Sequence, residues 1–315
     1  MSKVVINHVL SNNVKSMIFE SILNYHHKYS DKFHQIITSV KPVDNADVYV
    51  YHRPHLEHKL TGNSIAIVHH DLNEFESCFR LERFISRYRE AKYVVCLNHT
   101  QESILQGNGL TNIKLIPHGY NDDIFKAMVS PKKVHDNGKI TLGILSRHYP
   151  RGVKGESSVI EIAKRLPITD FKFILIGEGR DILNSKLMSL GFDSEFINFL
   201  PYYQYADVYH RIDFLLITSF YEGGPASIPE AIVTGTPVIT TPVGMANDLI
   251  SHNYNGVILS GTYDNYAQSI IRSCSARTYN QLAVNTLLTK KHVLTWKNVV
   301  NQYSEMYEGI LNERK

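Results

Sequence analysis

Short apolar runs alternate with longer amphipathic stretches along the whole chain, and this alternation limits the fold more than any other feature of the sequence. Each apolar run has the length of a buried strand, and each amphipathic stretch has the length of a covering helix. Repeated strand–helix units predict parallel sheets with helices on their faces. The predicted strands of the first half are residues 4–9, 47–51, 65–69, 93–97 and 114–116, and its predicted helices are 14–28, 75–89 and 100–106.

A polar stretch interrupts this pattern near the middle of the chain. Residues 127–139, AMVSPKKVHDNGK, show no clear period, so we interpret them as a link between two domains, 1–127 and 139–294. A chain of 315 residues is long enough for both. Apolar residues at helical spacing predict a final helix within 295–315. The predicted strands of the second half are 140–145, 171–176, 197–200, 213–218, 237–240 and 256–259.

Overall charge and cysteine content disfavour several classes of protein. A net charge of +3, from 33 basic and 30 acidic residues, gives no bulk signal for nucleic-acid binding. Cys78, Cys96 and Cys274 are odd in number and lack a CxxC pair, so neither a disulfide framework nor a zinc site is expected. No apolar run has the length of a signal-peptide core or a membrane span. The sequence therefore predicts a cytoplasmic protein.

The segment DFLLITSFYEGGPASIPE, residues 213–230, combines a buried strand, a glycine-rich turn and the start of a helix. Gly223 and Gly224 allow a ligand to approach the main chain, and Pro225 fixes one bend. Glu222 lies beside these glycines, where it has no capping duty. We therefore expect Glu222 at the strand ends, where α/β sheets bind their ligands.

Glu230 has two interpretations, which the sequence leaves open. Ser227 and Glu230 match the capping box, in which a glutamate at the third helical position bonds back to the cap. Alternatively, Glu230 is a second ligand-binding carboxylate, beside helix amides that favour an anion. The lone pairs of a carboxylate allow both roles at once.

Two further loops follow predicted strands of the second half. The first loop, SRHYPRGVKGESS, carries Arg147 and Lys154, which together suit the spread charge of a diphosphate, although loop cations are commonly only solvated. The second loop begins with Gly177 and Gly179, which allow a sharp turn. A dinucleotide fingerprint requires a third glycine where Ile182 stands, so a nicotinamide-dependent enzyme is disfavoured.

Taken in order, these pieces resemble the donor domain of the family 4 retaining glycosyltransferases. The resemblance covers most of the second half, with weaker support from residues 116–125, IPHGYNDDIF. It implies an α/β fold of the GT-B type, with two Rossmann-like domains whose parallel sheets face a central cleft. It also implies that the first domain serves the acceptor, the second binds a nucleotide sugar, and the final helix packs back on the first. The matching elements are Arg147 with Lys154-Gly155, Gly177-x-Gly179, Glu222-Gly-Gly-Pro through Glu230-Ala231, and Gly235-x-Pro237-Val238.

The resemblance also implies a role for each matching residue. Arg147 and Lys154 would hold the diphosphate and stabilise its growing charge without a metal. Glu222 would contact sugar hydroxyls, and Glu230 would accept from the ribose hydroxyls. No separate cofactor is expected, and a UDP-sugar is favoured over a GDP-sugar. The other implied donor contacts are Gly177, Leu200, Gly223, Gly224, Pro225, Ala226 and Ser227.

The implied reaction is a retaining transfer of a hexose or N-acetylhexosamine to a hydroxyl of a glycan, glycolipid or protein, in the synthesis of surface polysaccharides or glycoconjugates. A rival interpretation is a non-catalytic GT-B subunit that binds a glycan or supports a partner transferase. Lost phosphate cations and degenerate carboxylates would favour this rival, and the sequence keeps both kinds of residue.

The first half offers candidates for the acceptor side. His69 and His70 stand at a predicted strand end, where a histidine can position the acceptor or steady charge, and the family often has a histidine at a comparable place. We expect His70 to be the less buried and therefore the catalytic candidate. Asn12 and Asn13 occupy the first strand–helix turn, where the family often has glycines, and their amides suit a sugar.

A basic helical face is a further feature of the first half. Arg80, Arg83 and Arg87 fall on one face of a helix predicted within residues 79–92. Such a face is either solvated or placed on anionic lipid at the inner side of a membrane, as a lipid-linked acceptor would require.

Overall fold

The computed structural model describes residues 3–12, 17–74, 76, 78–132 and 138–313. The chain divides into two compact units, which we call the first unit (Met1–Gly119 with Leu294–Lys315) and the second unit (Tyr120–Val293). The division lies before residue 127 because Tyr120, Ile124 and Phe125 pack into the core of the second unit. Each unit is an α/β sandwich around one parallel sheet.

The first unit contains a six-stranded sheet in the order β2-β1-β3-β4-β5-β6, so the chain reverses its direction across the sheet between β1 and β3. Ligands of open α/β sheets bind at the carboxyl ends of the strands beside such a reversal. The elements are β1 (Val4–Val9), α1 (Met17–Tyr29), β2 (His34–Ser39), β3 (Val48–Tyr51), β4 (Ser64–Ile67), α2 (Ile85–Glu90), β5 (Tyr93–Cys96), α3 (His99–Gly107) and β6 (Ile113–Leu115).

The second unit repeats this architecture with the order β12-β11-β10-β7-β8-β9, the doubly wound order whose reversal lies between β7 and β10. The elements are β7 (Ile140–Leu145), α4 (Glu156–Ala163), β8 (Phe171–Ile176), α5 (Asp181–Ser189), β9 (Asp193–Ile197), α6 (Tyr205–Arg211), β10 (Phe214–Ile217), α7 (Ser227–Val233), β11 (Val238–Thr240), α8 (Ala246–Leu249), β12 (Gly256–Ile258), α9 (Tyr263–Ser273) and α10 (Ala276–Thr289).

The last helix, α11 (Trp296–Asn312), belongs to the first unit. Thr295 and Asn298 form a capping box that satisfies the free amides at its start. Its buried side chains, among them Trp296 and Tyr307, join Ile6 and Val48 in one apolar cluster of the first unit. Burial of this apolar face holds the helix against the sheet.

Side chains of alternate strand residues fill the space on both faces of each sheet. In β3, Val48 and Val50 belong to the cluster that includes α11, whereas Tyr49 and Tyr51 belong to the cluster on the opposite face. Strands buried on both faces read as continuous apolar runs, which explains why the central strands are visible in the sequence. The predicted pair of parallel α/β sheets is confirmed.

Three elements differ from the sequence prediction. The strand β2 was not predicted, and β9 covers Asp193–Ile197 instead of 197–200. Both are edge strands with partly exposed polar residues, so they lack the apolar run of a central strand. The helix predicted over 75–89 is wrong, because Arg80 has extended backbone angles and the helix α2 begins only at Ile85. Among the described residues, no helix combines the length and apolarity that crossing a membrane requires.

Candidate functional site

The loops that follow β7 and β10 lie side by side at the strand reversal of the second unit. The Thr218 hydroxyl lies 3.0 Å from the carbonyl oxygens of both Lys154 and Gly155. Gly155 has a φ of +71°, and a Cβ atom there would come within 1.9 Å of the Thr218 carbonyl oxygen. A residue without a side chain is therefore required for the two loops to meet.

Lys154 and Glu222 are brought together by this junction. Lys154 Nζ lies 2.5 Å from Glu222 Oε1, and the Ser219 hydroxyl donates to the same oxygen at 2.7 Å. Both charged side chains are mostly buried, with 16% and 14% of their surface exposed. Charge-assisted hydrogen bonds of this kind are short and strong. Glu222 therefore occupies a defined position among polar groups at the strand ends.

Arg147 is the second cation at this edge. Its guanidinium carbon lies 4.5 Å from the centre of the Tyr149 ring, and Lys154 Nζ lies 5.3 Å from the same centre. The aromatic face attracts both cations and holds them near one another. Arg147 is exposed, so it can meet a ligand without leaving the fold. Tyr149 lies in the loop predicted to carry the cations, but its role was not predicted.

The backbone around Arg147 is held by Arg180, which follows the Gly177-x-Gly179 turn and is only 1% exposed. Arg180 Nε donates to the Ser146 carbonyl at 2.7 Å, and its Nη1 donates to Glu156 at 2.6 Å. Gly177 lies directly behind this loop, because a Cβ atom there would be 2.6 Å from Arg147 N. Gly177 and Arg180 thus support the backbone of the loop that carries Arg147. Arg180 was not among the predicted site residues, although an arginine next to a strand-end turn was a visible signal.

Glu230 is buried, with 5% of its surface exposed, and both of its oxygens accept hydrogen bonds from tyrosines. Tyr202 donates to Oε1 at 2.6 Å, and Tyr209 donates to Oε2 at 2.8 Å. Burial raises the pKa of Glu230 to about 7, although the two tyrosine hydrogen bonds act to lower it. The carboxylate therefore titrates near neutral pH.

The capping-box interpretation of Glu230 is wrong. The residue before α7 is Ala226, which has helical backbone angles, and no side chain caps this helix. Ser227 is already the first helical residue, so its hydroxyl is not placed as a cap. Glu230 contacts tyrosines from an upstream segment instead. This partnership depends on tertiary packing.

The other residues predicted to contact the donor lie in the neighbouring loops of the second unit. Gly223, Gly224 and Pro225 form the bend after β10, and Ala226 and Ser227 lead into α7. The turn after β11 presses against this bend, because a Cβ atom on Gly244 would lie 3.0 Å from the carbonyl oxygens of Glu222 and Gly223. Leu200 is partly buried against the core of the second unit.

On the first unit, His69 and His70 follow β4 and have different surroundings. His69 Nε2 lies 3.1 Å from His52 Nδ1, and His52 Nε2 lies 3.1 Å from His8 Nδ1. His70 packs its ring 4.0 Å from that of Phe84, and burial lowers its pKa to about 4. Both side chains are half-buried. His8 and His52 were not predicted, since neither matched a motif.

The other predicted residues of the first unit are Asn12 and Asn13 in the first strand–helix turn and the three arginines of the predicted basic face. Asn12 lies exposed in the bend after β1, and Asn13 falls outside the described residues. The single basic helical face of Arg80, Arg83 and Arg87 is wrong, because Arg80 is extended and a short 3₁₀ turn precedes α2. Arg87 donates to the His58 carbonyl and to Glu90 within the unit. Arg80 and Arg83 are exposed.

Comparison with known proteins agrees with this arrangement. Residues 127–285 match the model of the family described as glycosyl transferases group 1. Two uncharacterized glycosyltransferases of Methanocaldococcus jannaschii are 24% and 26% identical over 245 and 255 residues, which are 71% and 75% of this chain. The chain matches 60% and 61% of their length, so it spans about three fifths of these relatives.

The structure of Anabaena HepE in complex with UDP and glucose has the same fold. It superposes with a TM-score of 0.74 at 15% identity, over 97% of this chain and 100% of HepE. This likeness shows that the predicted GT-B fold is present. The family match covers the residues that carry the cationic loop, Glu222 and Glu230. The chain belongs to the glycosyl transferases group 1 family.

Proposed function

We propose that this protein is a retaining glycosyltransferase that moves a hexose or N-acetylhexosamine from a nucleotide diphosphate sugar to a hydroxyl group. The acceptor is a glycan, a glycolipid or a protein, and the product belongs to a surface polysaccharide or glycoconjugate. The observation that carries the proposal is the mostly buried Lys154–Glu222 pair beside Arg147 at the strand reversal of the second unit. Strand reversals are the usual ligand sites of such sheets.

The two cations suit the diphosphate of the donor. Arg147 supplies a planar fork of N–H donors, and Lys154 supplies a mobile point charge. As the bond to the sugar breaks, negative charge grows on the leaving diphosphate, and preorganised cations stabilise it. Lys154 can transfer one of its hydrogen bonds from Glu222 to a phosphate, because an ammonium group has three donors. A resident metal is not required for this role.

Glu222 suits the sugar of the donor. Its Oε1 accepts from Lys154 and Ser219, which hold the carboxylate in place, and a carboxylate is an acceptor for the hydroxyls of a sugar. In the retaining reaction the acceptor hydroxyl attacks from the side that the diphosphate leaves. The departing phosphate oxygen would take the hydroxyl proton.

Glu230 suits the ribose of the nucleotide. Each of its oxygens accepts one tyrosine hydrogen bond and keeps a second lone pair for a ribose hydroxyl. The tyrosines fix the plane of the carboxylate, so the two ribose hydroxyls would meet a preorganised acceptor. We favour UDP over GDP as the nucleotide, since a neighbour of the same fold, HepE, was crystallised with UDP and glucose.

Nucleotide binding is the experiment that tests this proposal most directly. Isothermal titration with UDP, GDP and their sugars should show binding of at least one nucleotide sugar, and slow hydrolysis of that donor should follow without an acceptor. Binding without hydrolysis or transfer to any acceptor would favour the rival interpretation of a non-catalytic subunit. Failure to bind any nucleotide would reject the proposed donor site.

We also propose a cytoplasmic location, which Cys78, Cys96 and Cys274 support because none of the three forms a disulfide. Contact with an anionic membrane through Arg80 and Arg83 stays a prediction. Co-sedimentation with phosphatidylglycerol vesicles, compared between the natural protein and an Arg80→Glu/Arg83→Glu variant, would test it. Equal binding of both proteins would remove these arginines from any membrane contact.

A further inference from the structure

Three histidines of the first unit form a hydrogen-bonded chain, which we call the histidine chain: His69, His52 and His8. The two links each measure 3.1 Å, from His69 Nε2 to His52 Nδ1 and from His52 Nε2 to His8 Nδ1. Neighbouring rings stack, with interplanar angles of 14° and 29°. The chain crosses three adjacent strands, β4, β3 and β1, and spans the strand reversal of the first unit.

The inner end of the histidine chain is completely buried. His8 Nε2 lies 3.4 Å from the hydroxyl of Tyr307, and the same hydroxyl lies 3.4 Å from His26 Nδ1. His8, His52, His26 and Tyr307 are buried, whereas His69 is half-buried and lines a cavity together with His118 and Trp296. One member of the chain is therefore accessible, and its partners are enclosed.

All members of the histidine chain are neutral at physiological pH. Burial lowers the pKa of His52 to about 3 and those of His8 and His69 well below the usual value. Neighbouring histidines lower the pKa values of His8 and His69 further, and Arg53 lowers that of His52 further. A neutral imidazole carries one proton, so one ring nitrogen donates and the other accepts. Each hydrogen bond between two rings of the histidine chain therefore contains one proton.

Two arrangements of the ring protons satisfy both hydrogen bonds of the histidine chain. If His8 donates from Nδ1, then His52 and His69 must also carry their protons on Nδ1. If His69 donates from Nε2, then His52 and His8 must carry theirs on Nε2, and His8 then donates to the hydroxyl of Tyr307. The tautomer of the accessible histidine is thus tied to those of two buried histidines and to the orientation of one buried hydroxyl.

We propose that His8, His52 and Tyr307 are positioning residues that hold His69 in one tautomer, so that His69 Nδ1 makes a single kind of hydrogen bond with the acceptor hydroxyl. This inference rests on the proposed transfer reaction. With all protons on Nε2, His69 Nδ1 accepts from the attacking hydroxyl, and with all protons on Nδ1 it donates to the oxygen of that hydroxyl. Either hydrogen bond orients the hydroxyl. The edge of the Phe19 ring packs against both His52 and His69, which limits rotation of the two imidazoles.

Nuclear magnetic resonance of the histidine rings tests the coupling without any assay of activity. In protein labelled with ¹⁵N-histidine, long-range ¹H–¹⁵N spectra distinguish the two neutral tautomers, and a His69→Gln variant assigns the His69 signals. We expect one dominant His69 tautomer in the natural protein. His52→Phe should give a mixture of tautomers at His69. Tyr307→Phe should also change the ratio of the two His69 tautomers, although His52 and His8 lie between Tyr307 and His69.

The control is His58→Gln, because His58 is exposed and lies outside the histidine chain. It should leave the His69 signals unchanged. The same His69 tautomer in the natural protein, His52→Phe and Tyr307→Phe would overturn the coupling. Tyr307→Phe keeps the buried ring, so it remains informative if His52→Phe does not fold.

Measurement of the kcat of transfer tests whether this coupling between histidine tautomers affects the proposed reaction. In His52→Phe the kcat of transfer should fall about tenfold, as for the partners that orient metal-ligating histidines. UDP affinity and acceptor-independent hydrolysis of the donor should not change. An unchanged kcat for transfer would overturn the positioning role. A natural protein that binds no nucleotide would instead reject the proposed function, while the tautomer measurement would still decide the coupling.

Discussion

Lys154 Nζ and Glu222 Oε1 lie 2.5 Å apart, although their residues come from two different strand-end loops. The pair is mostly buried and forms where the sheet of the second unit reverses its strand order. Removing one partner of such a pair leaves the other charge without its counterion. This relationship makes the two residues the most direct test of the proposed donor site.

We expect Lys154→Ala and Glu222→Gln each to reduce the rate of transfer by about a hundredfold or more, the usual effect of removing one group that stabilises a transition state. Lys154→Ala should also weaken UDP binding, whereas Glu222→Gln should retain it, because the proposed partner of Glu222 is the sugar. Steady-state kinetics and titration with UDP measure both effects. Glu195→Gln is a matched control, since Glu195 pairs with Arg211 on the exposed surface. Full activity in both site variants would contradict the donor assignment.

Glu230 should make donor binding depend on pH. Its pKa is raised to about 7, and the ionised carboxylate is a stronger acceptor for a ribose hydroxyl than the protonated acid. With a pKa near 7, the carboxylate fraction rises about tenfold between pH 6 and pH 8, so UDP-glucose affinity should rise by a similar factor. UDP-glucose is the suitable probe because its diphosphate does not titrate in this range. Glu230→Gln should remove the dependence, and a natural protein with constant affinity across this range would contradict the ribose role.

Arg180 should contribute strongly to the stability of the second unit. It is buried and donates to Ser146 and Glu156, so Arg180→Met removes its hydrogen bond to the Ser146 carbonyl and its ion pair with Glu156. Loss of one partner from a buried ion pair costs about 3–5 kcal/mol of unfolding free energy. Urea unfolding followed by circular dichroism measures the change. Arg211→Met, which breaks an exposed pair, should cost at most about 1 kcal/mol. Equal effects of the two substitutions would show that Arg180 does not have this role.

Lowering the pH should destabilise the first unit at pH values well above those at which its carboxylates become protonated. The pKa values of His26 and His52 are lowered to about 3 from the usual 6.5. Between these pH values the unfolded chain binds more protons than the folded one, so stability falls as pH falls, by about 1.4 kcal/mol per pH unit for each histidine. Stability from these groups is complete above pH 6.5. The groups that face them are His8, His27, His69, Arg53, Tyr303 and Tyr307.

Trp296 reports this effect selectively, because it is the single tryptophan of the chain and lies in the core of the first unit. The urea midpoint of its fluorescence should decrease steadily from pH 7 to pH 4.5. His52→Phe should reduce the pH dependence of the unfolding free energy by the contribution of about one proton. His99→Gln, on an exposed side chain, should leave this dependence unchanged. A midpoint that stays constant over this range would mean that the buried histidines do not control acid stability.

The sequence by itself determined the class of fold and the local part of the proposed donor site. Central strands are buried on both faces, so their apolar runs identify them, and the residues of a strand-end loop follow directly from the strand that precedes it. Arg147, Lys154 and Glu222 could be selected for this reason. The edge strands β2 and β9 could not be placed, because partial exposure allows polar residues there.

Only the tertiary structure decided which side chains complete each site. Glu230 matched a local capping pattern, but it is held by Tyr202 and Tyr209, whose hydroxyls reach it through folding of the second unit. The link between His8 and Tyr307 joins residues 299 positions apart. Hydrogen bonds between side chains depend on distances in space, and sequence spacing determines those distances only within one element or one turn.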